Sequence, residues 1–188
     1  KLKQIMIKFF GKWGKNRDGA TAIEFAFLAM PYLLLSLGII ELSLMFASES
    51  LLEGATSRAA RTVKTGQLQQ SAPENMEGEF REKICDYAPV LIRCNDIVIE
   101  ARVMSSFADY DTMQPAYDED GMMVSNGFAL GGSSEKVLIR VAYNYTALTP
   151  LVGQMLWGAD SSRLFMSTVV LQAEPYDFSE EMALDGGA

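Results

Sequence analysis

The sequence predicts an α+β chain. One long N-terminal transmembrane helix continues into a small head with a second helix and a three-stranded antiparallel sheet. Three observations lead there. Residues 20–47 read ATAIEFAFLAMPYLLLSLGIIELSLMFA, with only Glu24 and Glu41 charged, which exceeds the roughly 20 apolar residues that cross a bilayer. From Leu51 through Ala55, Ala59 and Val63, apolar residues recur every four positions, so the helix continues past the membrane. Later, three stretches carry strand patterns bounded by turn residues.

The elements follow in order. A basic leader, residues 1–19, holds Lys1, Lys3, Lys8, Lys12, Lys15 and Arg17 against Asp18, a net +5. Residues 48–188 hold ten Lys and Arg against 21 acids, a net −11. Positive charge before a single span keeps that side in the cytoplasm. Residues 48–175 are therefore expected as an exported head, and residues 176–188 as a loose acidic tail. The chain begins with Lys rather than Met, so a few further residues are expected ahead of it.

One helix is expected from about Thr21 to Thr65, with a kink near Pro31 and a stop at Gly66. Gly38, Ser36 and Ser43 are small enough to let another helix approach. A second helix is expected to start at Ser71, where Ser-Ala-Pro-Glu supplies a cap, a first-turn proline and Glu74 in the capping-box position. Met76, Phe80 and Ile84 form its apolar stripe, and Pro89 ends it. Strands are expected over 95–107, 136–146 and 163–174. The last is apolar on both faces and is expected to be central. Between the last two, Thr149 caps and Pro150 opens a short helix.

Composition excludes several chemistries. There is no histidine, which removes the commonest general base and metal ligand. No nucleophile motif is recognisable, and no catalysis, cofactor or metal is expected. The acidic exported part argues against nucleic-acid binding, which wants a basic patch. Cys85 and Cys94 are the only two cysteines, too few for a thiolate zinc site. In an exported head they are expected as a disulfide. The rival is a pair of buried thiols. Redox-active pairs usually lie three apart rather than nine. The long segment 108–134 clusters Asp109, Asp111, Asp118, Glu119 and Asp120. Its spacing does not fit the twelve-residue calcium loop, so a solvated variable loop is expected.

The edge of the span is specific. A secretory signal ends its apolar core at a small-residue cleavage site. Here Gly19 and Ala20 precede the core, Glu24 follows five residues after the glycine, and Phe25 comes next. This resembles a class III, type IV pilin-like signal. The wider run GATAIEFAFLAMPYLLLSLGIIELSLMF, which includes Pro31, followed by EGATSRAARTVKTGQ, resembles the TadE-like minor pilins, or pseudopilins, of tight-adherence pilus systems. The resemblance covers residues 17–68, and the rest only by layout.

That resemblance implies several things. A prepilin peptidase would cut between Gly19 and Ala20 on the cytoplasmic side of the bacterial inner membrane. The mature protein would stay anchored in lipid, with its head extracytoplasmic. It would prime or cap a thin pilus with other pilins and minor pilins and so support adhesion, driven by an inner-membrane assembly platform and a cytoplasmic ATPase. Major pilins of these systems are very short, so the full head places the chain with the minor subunits. The alternative is an uncleaved single-pass envelope protein whose head serves protein contacts.

Two carboxylates bear on this. An ionised Glu near lipid costs about 2.5 kcal/mol or more unless paired. By resemblance, Glu24 pairs with a neighbouring subunit's N-terminus; otherwise it is an interfacial carboxylate reaching headgroups. Glu41 lies about 25 Å further up a helix. It either sits at the outer interface or meets a basic partner within an assembly.

Overall fold

A computed structural model describes residues 19–71, 74–87 and 89–176. The leader before Gly19 and the acidic tail from residue 177 lie outside the described residues.

Helix α1 runs unbroken from Ala20 to Lys64, through Pro31, roughly 65–70 Å at 1.5 Å per residue. Its upper part buries Leu52, Ala55, Thr56, Ala59, Ala60 and Val63, so the seam is centred on Leu52 rather than Leu51. Small residues dominate this seam, which lets the other elements pack close to the backbone. The helix stops at Gly66, where φ is +76°. Only glycine takes that conformation cheaply, and a Cβ there would also strike the Tyr176 ring. The chain restarts at once as α2, Gln67–Ser71, burying Leu68.

The second helix of the head, α3, spans Met76–Tyr87. Its start differs from the expected Ser71. The turn at Gly66 draws Ser71 into the end of α2, while Ala72 and Pro73 lie outside the described residues. The cap is instead Asn75, whose Oδ1 accepts from the Gly78 amide at 3.2 Å. Phe80 and Ile84 are fully buried, as their spacing requires. Cys85 near the end of α3 is bonded to Cys94, with Cα atoms 5.7 Å apart. Arg81 of α3 donates to the Ile97 carbonyl at 2.7 Å, tying helix to sheet.

The sheet holds β1 (Ile97–Met104), β4 (Lys136–Thr146) and β5 (Ser162–Gln172), all antiparallel, in the order β1-β4-β5. β4 is therefore central, not the 163–174 stretch. Val137, Ile139, Val141, Tyr143 and Tyr145 form one face of β4, with Ile97, Ile99 and Ala101 beside them on β1, all in the main core with α1 and α3. The polar-looking face of β4 is buried too. Arg140 stands directly across from Glu100 in register, and the two form a buried ion pair at 3.1 Å. Paired charges can be buried where a lone one cannot, and that is why Arg140 does not mark a solvent face. β5 sends Phe165, Ser167 and Leu171 inward but leaves Met166 and Val170 exposed.

The acidic segment is not a solvated loop. It covers the second face of β1 and β4. A small hairpin pairs β2 (Ala116–Tyr117) with β3 (Met123–Val124). Asn126 donates to Glu100 at 2.8 Å, Ser125 Oγ donates to the Ile99 carbonyl at 2.6 Å, and Arg140 donates to the Met113 carbonyl. Met104, Met123, Leu138 and Ala142 are buried here, apart from the main core. Two of the acids serve turns. Asp109 accepts from the Ser105 and Ser106 amides, and Asp118 from the Asp120 and Met122 amides.

The Cys85–Cys94 bond closes a short loop, which contributes about 2 to 3 kcal/mol in the chain-entropy model. Cys85→Ser is expected to lower the urea midpoint of the head by an equivalent of about 2 kcal/mol. Mass spectrometry of native protein without reductant is expected to find neither thiol open to alkylation; two free thiols would contradict the pairing.

Candidate functional site

The candidate site is the lower half of α1 with its two carboxylates. No residue from Gly19 to Ile40 is buried. Phe25, Phe27, Leu28 and Met30 are each about 70 % exposed or more. A surface of this kind is incompatible with water. The bare part, residues 20–40, is about 31 Å long, close to the hydrocarbon thickness of a bilayer. Among the described residues α1 is the one helix long and apolar enough to cross a membrane, as a single-pass anchor would be. The bare part ends before Ala47, because Glu41 and Met45 are already buried against the head. Ser36 and Ser43 donate their hydroxyls to the carbonyls of Tyr32 and Ile39, so they add no free donor to this surface. Gly38 has open space where a side chain would stand.

Gly19, Ala20 and Glu24 lie at the N-terminal end of α1, all exposed. The Gly19 carbonyl accepts from the Ile23 amide at 3.1 Å, so the first turn is formed right from the glycine. Among the described residues Glu24 has no hydrogen-bond or ion-pair partner. Phe25 beside it and Pro31 further up are likewise exposed.

Glu41 is different. It is 1 % exposed and accepts four hydrogen bonds within its own chain. Oε1 takes the Tyr145 hydroxyl at 2.8 Å and the Leu148 amide at 2.9 Å. Oε2 takes the Thr149 amide at 3.0 Å and the Thr149 hydroxyl at 2.6 Å. This is neither an open interfacial carboxylate nor a partner for a basic group. The donors come from the end of β4 and from the turn into helix α4, Pro150–Trp157. Thr149 is the cap position of α4, but its hydroxyl serves Glu41 instead of the helix. Each hydrogen bond to a charged group is worth about 1.5–3 kcal/mol, and four together offset the several kcal/mol that burying a carboxylate costs.

Tyr145 holds the other end. Its ring meets Trp157 edge-on at 6.0 Å and Phe165 at 5.7 Å. Burial, and then the bond to the Glu41 carboxylate, push its hydroxyl well above the usual tyrosine range. Gly153 lets α4 approach closely, since a Cβ there would collide with Ala147 and Ser161. Sequence reasoning did not find Tyr145 or Thr149 as partners, because they lie more than a hundred residues from Glu41. The available signal was Glu41 itself, a carboxylate in an apolar helix that must find donors somewhere.

The deciding comparison concerns α1. Residues 19–61 match the family model of the TadE-like proteins. The match begins at Gly19, at the foot of the anchor, and ends within the packed upper half of α1. The TadE-like segment thus contains Glu24, Phe25, Pro31 and Glu41, and none of the sheet. No curated protein and no solved structure matches the chain.

Tyr145 yields a prediction. Its folded pKa lies above the unfolded value of about 10, so its contribution is fully present below that pH and is lost as pH rises above it. Tyr145→Phe is expected to cost about 1.5–3 kcal/mol at neutral pH. The wild-type advantage over the variant should shrink in urea titrations carried above about pH 10. A pH-independent difference would contradict the assignment.

Proposed function

We propose that this chain is a minor pilin, or pseudopilin, of a tight-adherence, type IV-like pilus. It is anchored by α1 in the bacterial inner membrane with its head outside the cytoplasm, is processed between Gly19 and Ala20, and primes or caps pilus assembly. The single observation that carries this is the TadE-like match beginning at Gly19, on a bare apolar helix whose Glu24, one turn beyond, has no partner among the described residues. The net +5 leader ahead of the span favours a cytoplasmic N-terminus.

In this reading the protein is a structural component and carries no catalysis. A prepilin peptidase removes residues 1–19 and leaves a new amine on Ala20. Glu24 meets such an amine on a neighbouring pilin-like subunit, where lipid lowers the dielectric and strengthens the pair. The assembly platform and other pilins are the partners, and membrane lipid surrounds the anchor. The exposed head supports adhesion through contacts outside the membrane.

The test is the intact mass of protein from its native membrane. The expected species begins at Ala20, and Gly19→Leu is expected to retain the leader. Native protein that still carries residues 1–19 would instead fit an uncleaved single-pass envelope protein. Glu24→Gln should leave cleavage and insertion intact while surface pili and recovered pilin partners fall, because removing one member of a buried pair costs about 3–5 kcal/mol. Normal pili in that variant would leave Glu24 only an interfacial role.

A further inference from the structure

The head has an apolar face that its own core does not use. From Thr146 to Ala159 the chain holds no charged residue. Helix α4 turns Val152 and Gly153 inward, whereas Leu148, Leu151, Met155 and Leu156 are 68, 63, 71 and 42 % exposed. In water this much clustered apolar surface calls for a cover.

Its position says which cover. Val152, Met155 and Leu156 share one groove, of about 310 Å³, with Leu34, Leu35 and Gly38 of α1. Those α1 residues belong to the bare segment that lies in lipid. The exposed face of α4 therefore continues the surface of the membrane anchor. Measured along α1, Leu34 stands about 21 Å and Glu41 about 31 Å above Ala20. This sets α4 in the last third of a hydrocarbon core about 30 Å thick. Trp157, a residue type that collects at membrane interfaces, closes the helix and is half-buried.

The backbone at the start of α4 suits lipid as well. Free N–H groups are costly there. The Leu148 and Thr149 amides are taken by Glu41, and Pro150 has none to offer. The stretch that leads down toward the membrane thus presents no open donor at three successive positions. Glu41 sits behind it, shielded by the head rather than facing acyl chains.

We infer that α4, with Leu148, is a second membrane contact: an interfacial helix whose Leu148, Leu151, Met155 and Leu156 face lies among the acyl chains of the leaflet nearest the head. It rests on the reading of α1 as the anchor. Two contacts, one spanning and one interfacial, fix the tilt of the head above the bilayer, which a single helix could not do.

The test uses the full chain in vesicles of phosphatidylcholine and phosphatidylglycerol. An environment-sensitive fluorophore is placed on one added cysteine, without reductant so that the native disulfide stays closed. The positions are Met155→Cys, Leu35→Cys on the bare helix, and Gln67→Cys at the start of α2, beyond the far end of α1. Labels at 155 and 35 are expected to lose emission with lipids brominated on the acyl chain and to resist aqueous iodide. The label at 67 is expected to do the reverse. If 35 reports lipid while 155 is quenched by iodide, the interfacial helix is wrong and the anchor stands. If 35 also reports water, the anchor itself is wrong. A label at 155 shielded from both quenchers would mean a second protein copy covers α4, and would equally overturn the lipid assignment.

Discussion

The buried Glu41 carboxylate is the constraint on which the rest of this structure depends. A charge on an apolar helix is unstable unless donors converge on it. Here Tyr145, Leu148 and Thr149 supply four. All four come from one stretch at the end of the central strand. Satisfying Glu41 therefore fixes the sheet, the turn after it and α4 against α1 at a single height. That height is where the helix stops being bare and starts being packed, so one ionised group marks the boundary between anchor and head.

A second charge sets the other side of the sheet. Glu100 and Arg140 face each other across β1 and β4, buried on the face away from α1. Burying them requires a cover, and the segment after β1 provides it through Asn126, Ser125 and the Met113 carbonyl. A three-stranded sheet is marginal alone. With α1 and α3 on one face and this segment over β1 and β4 on the other, both faces of the central strand are closed. The outer face of β5 stays open at Met166 and Val170.

Much of this was legible. The long helix, its stop at Gly66, the Phe80 and Ile84 stripe and the three strands follow from local periodicity and turn chemistry, which the sequence carries directly. Gly19, Ala20 and Glu24 are neighbours in the chain, and the fold keeps them exposed at the foot of α1. What was not legible is non-local. Strand order depended on Arg140, polar by type yet neutralised by a residue forty positions away. The start of α3 depended on α2, a five-residue helix too short for a periodic signal. The role of Glu41 depended on Tyr145 and Thr149, which only the folded chain brings near. The acidic segment read as solvated because its aspartates are turn-makers, while the Ser, Asn and Met residues that dock it look unremarkable in sequence.

Together these features hold the head rigidly to one end of a bare apolar helix. The most direct test of the account is amide hydrogen exchange at Leu148 and Thr149 in the full chain, in vesicles, for wild type and Glu41→Gln. Gln keeps the size but presents an N–H₂ group to donors and removes the charge. Losing bonds worth about 1.5–3 kcal/mol should speed exchange at both amides about tenfold or more, with the ladder between β1 and β4 unchanged. Equal protection of Leu148 and Thr149 in the two proteins would contradict the claim that Glu41 holds the head to its anchor.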